Sequence, residues 1–456
     1  MLGIGVRTAV VSAIIALRRG DPVHPPGLAP PPTTAGAGTL VGPGLVSRHT
    51  YLAPRPTTPR MGDQAVPAGQ IGALPKGVGT MIRLQRALPE RYTTATPEEL
   101  AEWIGAAKDD LGDRLLVLGH HYQRDDVMEW ADARGDSFGL SRIAADRRDA
   151  EFVVFCGVHF MAESADVLTA PHQQVLLPDL NAGCSMADMA DIEEVEEAWE
   201  ALARVTDVER VLPITYMNSS AALKAFVGRN GGAVCTSANA RAVLRWALAA
   251  PGTGERRPRI PRADKVLFVP DQHLGRNTGF DLGYGADEMV VWDPRCELGG
   301  LSEAEVKSAR LLLWRGHCSV HQRFRPEHVA AFRAAHPGGI VLVHPECAHA
   351  VVELGDEVGS TDQIIRAVEG AAAGSVLGVA TEIHLVKRLA DEHPTKTVVC
   401  IDPLVCPCST MSRIDPAHLA WVLEGLVEGE VRNRITVDET TAEWARVALR
   451  RMLDIT

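Results

Sequence analysis

The chain has 456 residues, a formal net charge of −12 and an apolar content of 46%. This length allows two to four domains with a sizeable core, and the negative charge leaves no basic surface for nucleic acid. Nine cysteines, an odd number in a long chain, do not fit a secreted disulfide framework. We therefore expect a soluble protein of a reducing compartment, the cytoplasm, with no membrane partner.

The first eighty residues differ in composition from the rest of the chain. Residues 8–17 form an apolar run that is too short to cross a bilayer, and two arginines follow it without an evident signal-peptide cleavage site. Residues 21–80 are rich in Pro, Gly, Ala and Thr, a composition that cannot bury enough apolar surface to fold. We predict that residues 1–80 are a disordered N-terminal extension and that Met81 is an alternative start. An anchor or targeting role is the alternative.

Helical patterning begins after this extension. Thr96 and Glu99 form a capping box around Pro97, which is typical of a helix start, and apolar residues then recur at helical spacing. Similar starts are predicted at Ser302, Ser360 and Asp415.

Nine short apolar runs alternate with the helical segments, as in buried parallel strands of α/β layers. The runs are 115–118, 152–155, 175–177, 211–214, 266–269, 289–292, 340–343, 376–379 and 398–401. Six runs lead into polar clusters, at 120–123, 157–159, 216–218, 270–273, 344–346 and 381–382. Ligands of open α/β sheets bind beyond the carboxyl ends of the strands, so six such clusters predict a shared site.

A cysteine directly before a serine occurs three times, at Cys184, Cys318 and Cys408. The intervals indicate an internal repeat of about ninety residues, with an insertion of about forty in the second unit. The arginine-rich stretch 252–265 is a plausible loop within that insertion.

These three cysteines precede segments that can start helices. A thiolate at a helix N-terminus is stabilised by the helix dipole and by free N–H groups. Three such thiolates would bind three corners of a four-iron cluster and leave the fourth iron open. The alternatives are buried cysteines that only pack, a zinc site, although no Cys-x-x-Cys knuckle is present, and a redox disulfide, which would be strained between Cys406 and Cys408.

Two strand-end clusters carry residues for proton transfer. Alternation along an extended chain puts His120 and Tyr122 on one side and His121, which we expect to be structural, on the other. A proline between His344 and Glu346 holds the chain extended and aims both side chains to the same side. Such a pair can serve as acid and base, with a surface ion pair as the alternative.

Hydroxyl and amide donors cluster in four further stretches, 135–137, 216–220, 236–239 and 359–361. At a helix start such groups bind carboxylate or phosphate, and beside the acids and bases they indicate a small, multiply anionic substrate. Helix capping is the alternative for each. We interpret the remaining cysteines as packing residues: Cys156, Cys235, Cys296, Cys347 and Cys400.

In combination these motifs resemble the quinolinate synthase family, over about residues 95–430 and in the family's order. The stretches that carry the resemblance are Gly-His-His-Tyr-Gln (119–123), Gly-Asp-Ser (135–137), Leu-Pro-Asp-Leu-Asn-Ala-Gly-Cys-Ser-Met-Ala-Asp (177–188), Tyr-Met-Asn-Ser-Ser (216–220), Val-Cys-Thr-Ser-Ala-Asn-Ala (234–240), Val-Pro-Asp-Gln-His-Leu-Gly (269–275), Gly-His-Cys-Ser-Val-His (316–321), Val-His-Pro-Glu-Cys (343–347) and Cys-Pro-Cys-Ser-Thr-Met (406–411).

For the fold, the resemblance implies three similar three-layer α/β/α domains in a pseudo-threefold arrangement around a central cluster-binding cavity. We place these domains at 81–205, 206–325 and 326–414, with a C-terminal helix, 415–456, packing back on the first. The implied cofactor is one [4Fe–4S] cluster per chain, held by one cysteine from each domain.

For function, the resemblance implies a transferase of de novo NAD biosynthesis, which condenses iminosuccinate with dihydroxyacetone phosphate to quinolinate, phosphate and water. It also allows a transient contact with the aspartate oxidase that produces iminosuccinate. The implied cluster ligands are Cys184, Cys318 and Cys408. The implied substrate-binding residues are His120, Ser137, Tyr216, Met217, Asn218, Ser237, His344, Pro345, Glu346 and Thr361.

One ligand assignment departs from a simple motif match, because Cys406 and Cys408 compete for the third position. Aligning on the methionine three residues after the ligand, Met411, selects Cys408.

We hypothesise that the open iron acts as a Lewis acid and that Glu346, His344, Tyr122 and Tyr216 handle the proton transfers. Rival classes are an iron–sulfur hydratase of the aconitase type, an iron–sulfur redox sensor or electron carrier, and a zinc-binding structural protein.

Overall fold

Helices and strands alternate along the chain in the computed structural model, which describes residues 85–248, 263–404 and 407–455. The predicted extension over 1–80, residues 252–262 of the loop predicted at 252–265, and Cys406 lie outside the described residues, while Lys265 begins a strand. The described residues belong to one compact unit, 77–456.

The strands are β1 (Leu115–His120), β2 (Ala133–Gly135), β3 (Phe152–Cys156), β4 (Gln174–Leu176), β5 (Val211–Tyr216), β6 (Ala233–Cys235), β7 (Lys265–Val269), β8 (Met289–Trp292), β9 (Leu311–Trp314), β10 (Ile340–Val343), β11 (Glu357–Val358), β12 (Val376–Ala380), β13 (Thr397–Cys400) and β14 (Arg434–Ile435). The α-helices are α1 (Glu90–Thr94), α2 (Pro97–Leu111), α3 (Asp125–Met128), α4 (Ser137–Asp146), α5 (His159–Leu168), α6 (Ile192–Val205), α7 (Ala221–Arg229), α8 (Ala240–Leu248), α9 (Gln272–Asp281), α10 (Glu303–Ser308), α11 (Pro326–Ala335), α12 (His349–Val352), α13 (Thr361–Gly370), α14 (Ile383–Glu392), α15 (Pro416–Val427) and α16 (Glu439–Asp454).

The described residues form three sheets, and each contains the same order of four parallel strands. The orders are β2-β1-β3-β4, β6-β5-β7-β9 and β11-β10-β12-β13. In each sheet the order reverses beside the first strand in sequence, and such a switch point opens a crevice at the carboxyl ends of the strands. The second sheet carries one extra parallel strand, β8, at its edge. The repeated order agrees with the internal repeat expected from the cysteine spacing.

All nine predicted apolar runs are strands, which confirms the α/β class. Among the described residues, five strands were not predicted. Four of these, β2, β6, β11 and β14, have only two or three residues, too few to show a pattern. The fifth, β9, is fully buried, and its leucines continue the helical pattern that starts at Ser302.

The predicted helix starts are confirmed by their caps. Capping boxes are present at Thr96, Ser302 and Ser360, and each begins an α-helix. The side chain of Asp415 accepts a hydrogen bond from the N–H of His418 ahead of α15. These local hydrogen bonds satisfy N–H groups that have no partner within the helix.

The C-terminal region, predicted as one helix over 415–456, forms two helices with a short strand between them. Helix α15 packs on α2, and β14 pairs antiparallel with β4 at the edge of the first sheet. Helix α16 packs chiefly on α7, beside the second sheet. The last forty residues therefore join the first two sheets.

Buried apolar side chains form one continuous core around the first two sheets and a separate core on each face of the third. The two cores of the third sheet are separate because side chains alternate along β10. Val341 and Val343 enter one core and Leu342 enters the other. Within the described ranges, no helix has both the length and the apolar character needed to cross a membrane.

Candidate active site

The carboxyl ends of the first strands of all three sheets face one cavity of about 720 Å³, including space open to solvent. His120 ends β1, Tyr216 ends β5 and His344 directly follows β10, and all three line the cavity. Tyr122, Met217, Asn218 and Glu346, which follow the same strands, line it too. The strand-end clusters therefore converge, as the parallel topology requires.

Hydroxyl side chains from the neighbouring strands complete this wall. Ser137 and Thr361 are the first residues of α4 and α13, where N–H groups lack partners within the helix, and Ser237 occupies the corresponding loop after β6. All three line the cavity. Pro345 does not; its carbonyl instead accepts a hydrogen bond from Asn277 Nδ2 at 2.8 Å.

His121 does not line the cavity, as expected, although residues 121–122 form a turn after β1 rather than the extended chain on which the expectation was based. Its Nε2 lies 3.3 Å from Asp362 Oδ1, while the rings of His120 and Tyr122 on the cavity side lie 5.0 Å apart. The N–H of Tyr122 donates to His120 Nδ1 at 3.1 Å, and the N–H of Glu346 lies 3.4 Å from His344 Nδ1. Both histidines thus use Nδ1 as an acceptor, which requires a neutral ring.

Cys184, Cys318 and Cys408 come from different sheets and line the same cavity. The chain after each follows one pattern. A three-residue 3₁₀ turn begins three residues later, at Ala187–Met189, His321–Arg323 and Met411–Arg413. Each cysteine carbonyl accepts a hydrogen bond from the N–H four residues on, at 2.9–3.0 Å. Seven residues after each cysteine stands the N-cap of an α-helix.

The expectation that a helix dipole keeps these thiols ionised is wrong for two of them. Burial raises the pKa of Cys184 to about 12, although N–H groups of Ala187 and Met186 oppose the shift. Burial, Glu346 and the two other cysteines raise the pKa of Cys318 well above its ordinary value. The 3₁₀ turns are too short to supply a large dipole. The thiols of Cys184 and Cys318 are therefore protonated in the metal-free protein, and a bound metal would have to displace their protons.

A chain of hydrogen-bonded side chains, buried except for the half-buried Tyr122, connects Glu346 to Tyr122. Glu346 Oε2 lies 2.8 Å from His321 Nδ1, and His321 Nε2 lies 3.1 Å from Thr381 Oγ1. The hydroxyl of Tyr122 lies 2.8 Å from Thr381 Oγ1 and 3.1 Å from Thr361 Oγ1. The chain can therefore transmit a proton between the two ends of the cavity wall.

Burial and these neighbours set the protonation states. Burial alone would raise the pKa of Glu346, but His321, His344 and a hydrogen bond from Tyr216 outweigh it and lower that pKa. Burial lowers the pKa of His344 to about 3, and His321 adds to the shift. Burial and the Glu346 charge raise the pKa of Tyr122 and Tyr216 well above 10. At neutral pH Glu346 is therefore a carboxylate, His344 is a neutral imidazole, and Tyr122 and Tyr216 are phenol donors.

Two residues of this network were not assigned from the sequence. His321 lies in the quoted stretch 316–321, and its ring stacks on His344 with centroids 4.4 Å apart. From the sequence, Thr381 is only one of the polar residues that follow a strand. A histidine three residues after a cysteine, like His321 after Cys318, was the one available signal for its place in the site.

The described residues offer two sets of metal ligands. Cys318, His321 and Glu346 place one ligand atom each within 4.8 Å of one another, enough for a single ion. The three cysteines offer three sulfur ligands on a wall that also contains Met186, Met217 and Met411. Thiolates in an apolar surround suit an iron–sulfur cluster, and three ligands leave one iron without a protein ligand. The residues therefore fit the implied group.

The remaining cysteines differ in their surroundings. Cys156, Cys235 and Cys347 are buried and Cys400 partly so, which agrees with packing. The same interpretation is wrong for Cys296, which is exposed because it lies in a surface loop after β8.

The fold and the site define a class: an α/β protein with repeated parallel sheets whose strand ends bring thiols, histidines and a buried carboxylate together in one cavity. A family model described as quinolinate synthetase A protein matches residues 102–454. The chain is 54% identical to a quinolinate synthase of Nocardioides sp. over 83% of this chain and 96% of the relative. It is 53% identical to one of Corynebacterium glutamicum (81% and 91%) and 54% identical to one of Streptomyces coelicolor (80% and 90%). The chain belongs to the quinolinate synthase family.

Proposed function

We propose that this chain is a quinolinate synthase, which condenses iminosuccinate with dihydroxyacetone phosphate to give quinolinate, phosphate and two waters. The carbons balance, four from iminosuccinate and three from the triose giving the seven of quinolinate. The observation that supports it best is the meeting of three cysteines, the His344–Glu346 pair and the hydroxyl donors in one cavity. De novo NAD biosynthesis in the cytoplasm is the proposed setting, with aspartate oxidase as the supplier of iminosuccinate.

We propose Cys184, Cys318 and Cys408 as ligands of one [4Fe–4S] cluster. When bound, such a cluster supplies a Lewis acid at its open iron, able to polarise an oxygen ligand and assist its loss as water. The repeated strand order and the repeated segments after the cysteines support a pseudo-threefold arrangement of the domains 81–205, 206–325 and 326–414.

The acid–base steps belong to Glu346, His344, Tyr122 and Tyr216. Glu346 is the carboxylate that accepts a proton, because it is ionised at neutral pH and lines the cavity. Tyr122 and Tyr216, with raised pKa values, donate hydrogen bonds to developing negative charge. His321 and Thr381 connect Glu346 with Tyr122, so a proton taken at one end can be returned at the other.

Substrate binding falls to neutral donors. Among the described residues that line the cavity, none is a lysine or arginine. Ser137, Thr361 and Ser237, with Asn218, would therefore bind the carboxylates and the phosphate through hydroxyl, amide and helix N-terminal N–H groups. His120 and Met217 would complete the contact surface, and Pro345 would act only through the backbone that it fixes.

The test is anaerobic purification, quantification of iron and sulfide, and a quinolinate assay with both substrates. We expect Cys184→Ser, Cys318→Ser and Cys408→Ser each to lose the cluster's visible absorption, whereas Cys406→Ser and the buried control Cys156→Ser retain it. Retention in Cys408→Ser with loss in Cys406→Ser would reassign the third ligand. A wild-type protein with iron and sulfide but no quinolinate would favour a hydratase of the aconitase type.

A single metal ion is the second candidate, because Cys318, His321 and Glu346 lie within 4.8 Å of one another. Metal analysis distinguishes the two. One zinc per chain without sulfide, lost in His321→Asn and retained in Cys184→Ser, would replace the cluster in this proposal.

A further inference from the structure

The three cysteine segments are joined to one another by contacts that follow a cyclic order. In each case the last residue of the 3₁₀ turn, five residues after the cysteine, meets the chain that leads into another cysteine. Arg413, after Cys408, binds Asp179 ahead of Cys184, and Arg323, after Cys318, binds Asp402 ahead of Cys408. The carbonyl of Met189, after Cys184, accepts a hydrogen bond from the Trp314 indole ahead of Cys318. The three contacts close a ring.

The Arg413 contact shapes the turn before Cys184. Arg413 Nε donates to Asp179 Oδ2 at 2.9 Å, and the side chain of Asp179 is 0% exposed. Asp179 Oδ1 accepts from the N–H of Asn181 at 2.8 Å, and its carbonyl accepts from the N–H of Ala182 at 3.0 Å. Without the arginine, this buried carboxylate would lose its cationic partner at 2.9 Å, a costly change.

The Arg323 contact acts in the same way on residues 402–404, the last described residues of the segment that precedes Cys408 by four positions. Its guanidinium donates to Asp402 Oδ2 at 3.0–3.1 Å and to the carbonyl of Leu404 at 2.7 Å. Asp402 Oδ1 accepts from the N–H of Leu404 at 2.9 Å. Both arginines thus bind a buried carboxylate that itself organises a turn.

We propose that Arg413 and Arg323 are positioning residues, which hold the three cysteines in a fixed triangle before any cofactor arrives. The inference rests on the proposed cluster for its purpose, although the ring itself is a property of the metal-free chain. A cluster requires its sulfur ligands at set distances from one another. If the three cysteines already hold these positions, less conformational entropy is lost when the cluster binds to three segments from three sheets.

The experiment compares Arg413→Gln, Arg323→Gln and Asp179→Asn with the control Arg333→Gln. Arg333 also binds a carboxylate, Asp356, and a backbone carbonyl, that of Leu354, at 2.9–3.0 Å. Its side chain is 44% exposed, close to the 37% of Arg323 and the 46% of Arg413. It lies on α11, outside the ring.

The first measurement is amide hydrogen exchange in the metal-free protein. We expect Arg413→Gln and Asp179→Asn to speed exchange about tenfold at 179–189, and Arg323→Gln to do so at 402–404 but not at 179–189. Arg413→Lys should restore most of the protection, because it keeps the charge. Equal acceleration of all segments in every variant, the control included, would reduce the effect to general destabilisation and overturn the proposal.

The second measurement is the rate at which a ferrous chelator removes iron from the anaerobically purified protein. We expect an acceleration of about tenfold in each ring variant and a rate within about twofold of wild type in Arg333→Gln. Wild-type rates in the ring variants would also overturn the proposal. A wild-type protein without iron and sulfide would instead refute the proposed function, while the exchange measurement would still decide whether the ring exists.

Discussion

Glu346 has a buried carboxylate on the wall of the cavity. It accepts from His321 at 2.8 Å, and its position two residues after His344 puts both side chains on the cavity wall. A glutamine keeps the shape but cannot take a proton. We therefore expect Glu346→Gln to retain iron and sulfide and to lose turnover by about 100-fold or more, measured as quinolinate formed per cluster.

The control for this change is Glu353→Gln. Glu353 is an exposed glutamate directly after α12, seven residues along the chain from Glu346. This variant should keep wild-type turnover. Wild-type turnover in Glu346→Gln would remove this residue from the chemistry, and loss of iron and sulfide in the same variant would show that Glu346 supports the cofactor site itself.

His120 gives the protein a dependence of stability on pH. Burial and His121 lower its pKa to about 3, below the ordinary value of about 6.5. The unfolded chain therefore binds a proton between these values that the folded chain does not, so stability falls as pH decreases from about 6.5. Each histidine of this kind adds up to about 1.4 kcal/mol per pH unit to the slope of the free energy of unfolding against pH.

We expect the free energy of unfolding of the metal-free protein to fall less steeply between pH 6.5 and 5 in His120→Gln than in wild type, by roughly 1 kcal/mol per pH unit. Denaturant titrations at several pH values measure this slope. Glu346 does not interfere, because it is ionised in both states in that window. The difference in free energy of unfolding between the variant and wild type should be constant from pH 7 to 8. If the free energy of unfolding fell equally steeply in the two proteins below pH 6.5, the ring of His120 would accept the proton in the folded state.

Among the elements, helix α14 positions the loop that carries His120 and Tyr122. Arg388 on this helix is buried and donates to the carbonyls of His121 and Gln123 at 2.9 and 2.6 Å, and to Asp125 Oδ1 at 2.7 Å. The helix belongs to the third sheet and the loop to the first. One side chain therefore fixes the distance between two walls of the cavity.

We expect Arg388→Gln to lower kcat/KM for quinolinate formation about 10- to 100-fold, because charge-assisted hydrogen bonds of this kind are worth about 1.5–3 kcal/mol. Iron and sulfide content should stay at the wild-type level, since no cysteine lies on this loop. The exposed neighbour Lys387→Gln is the control. Loss of the cluster in step with activity would show that Arg388 supports the whole fold rather than this loop.

Sequence patterns predicted elements well where the cause was local. Capping boxes at Ser302 and Ser360 and nine apolar runs depend on neighbouring residues, and all became the expected elements. The pattern failed at β9, since a run of leucines after a helix start fits a helix or a strand equally well. Only the pairing of that run with β7 and β8 decides between them.

Over the whole molecule, the convergence of the cavity residues could be predicted because parallel strands bring their carboxyl ends together. The partners that fix these residues could not. His321 reaches Thr381, and Arg413 reaches Asp179, across more than fifty positions of sequence. The ionisation of Cys184 was misjudged for the same reason, because burial, which depends on all three sheets, outweighs the local turn.

The contact of α16 with α7 ties the C-terminus to the second sheet through a position where only glycine fits. A Cβ on Gly228 of α7 would overlap the carbonyl oxygen of Trp444 on α16, a backbone atom that cannot turn aside. Arg451 on the same helix donates to the carbonyls of Gly228 and Gly232 at 3.2 and 2.7 Å. A shift of α16 to make room would lengthen these bonds as well.

We therefore expect Gly228→Ala to destabilise the protein by about 1–3 kcal/mol, the usual cost of overpacking, measured as the free energy of unfolding in denaturant. Gly370 is the matched control, since it also lies in a helix, α13, and a Cβ there would meet no atom within 4 Å. Gly370→Ala should be neutral or slightly stabilising, because alanine favours the helix. If both variants had equal stability, α16 would have to pack more loosely than its contacts with α7 indicate.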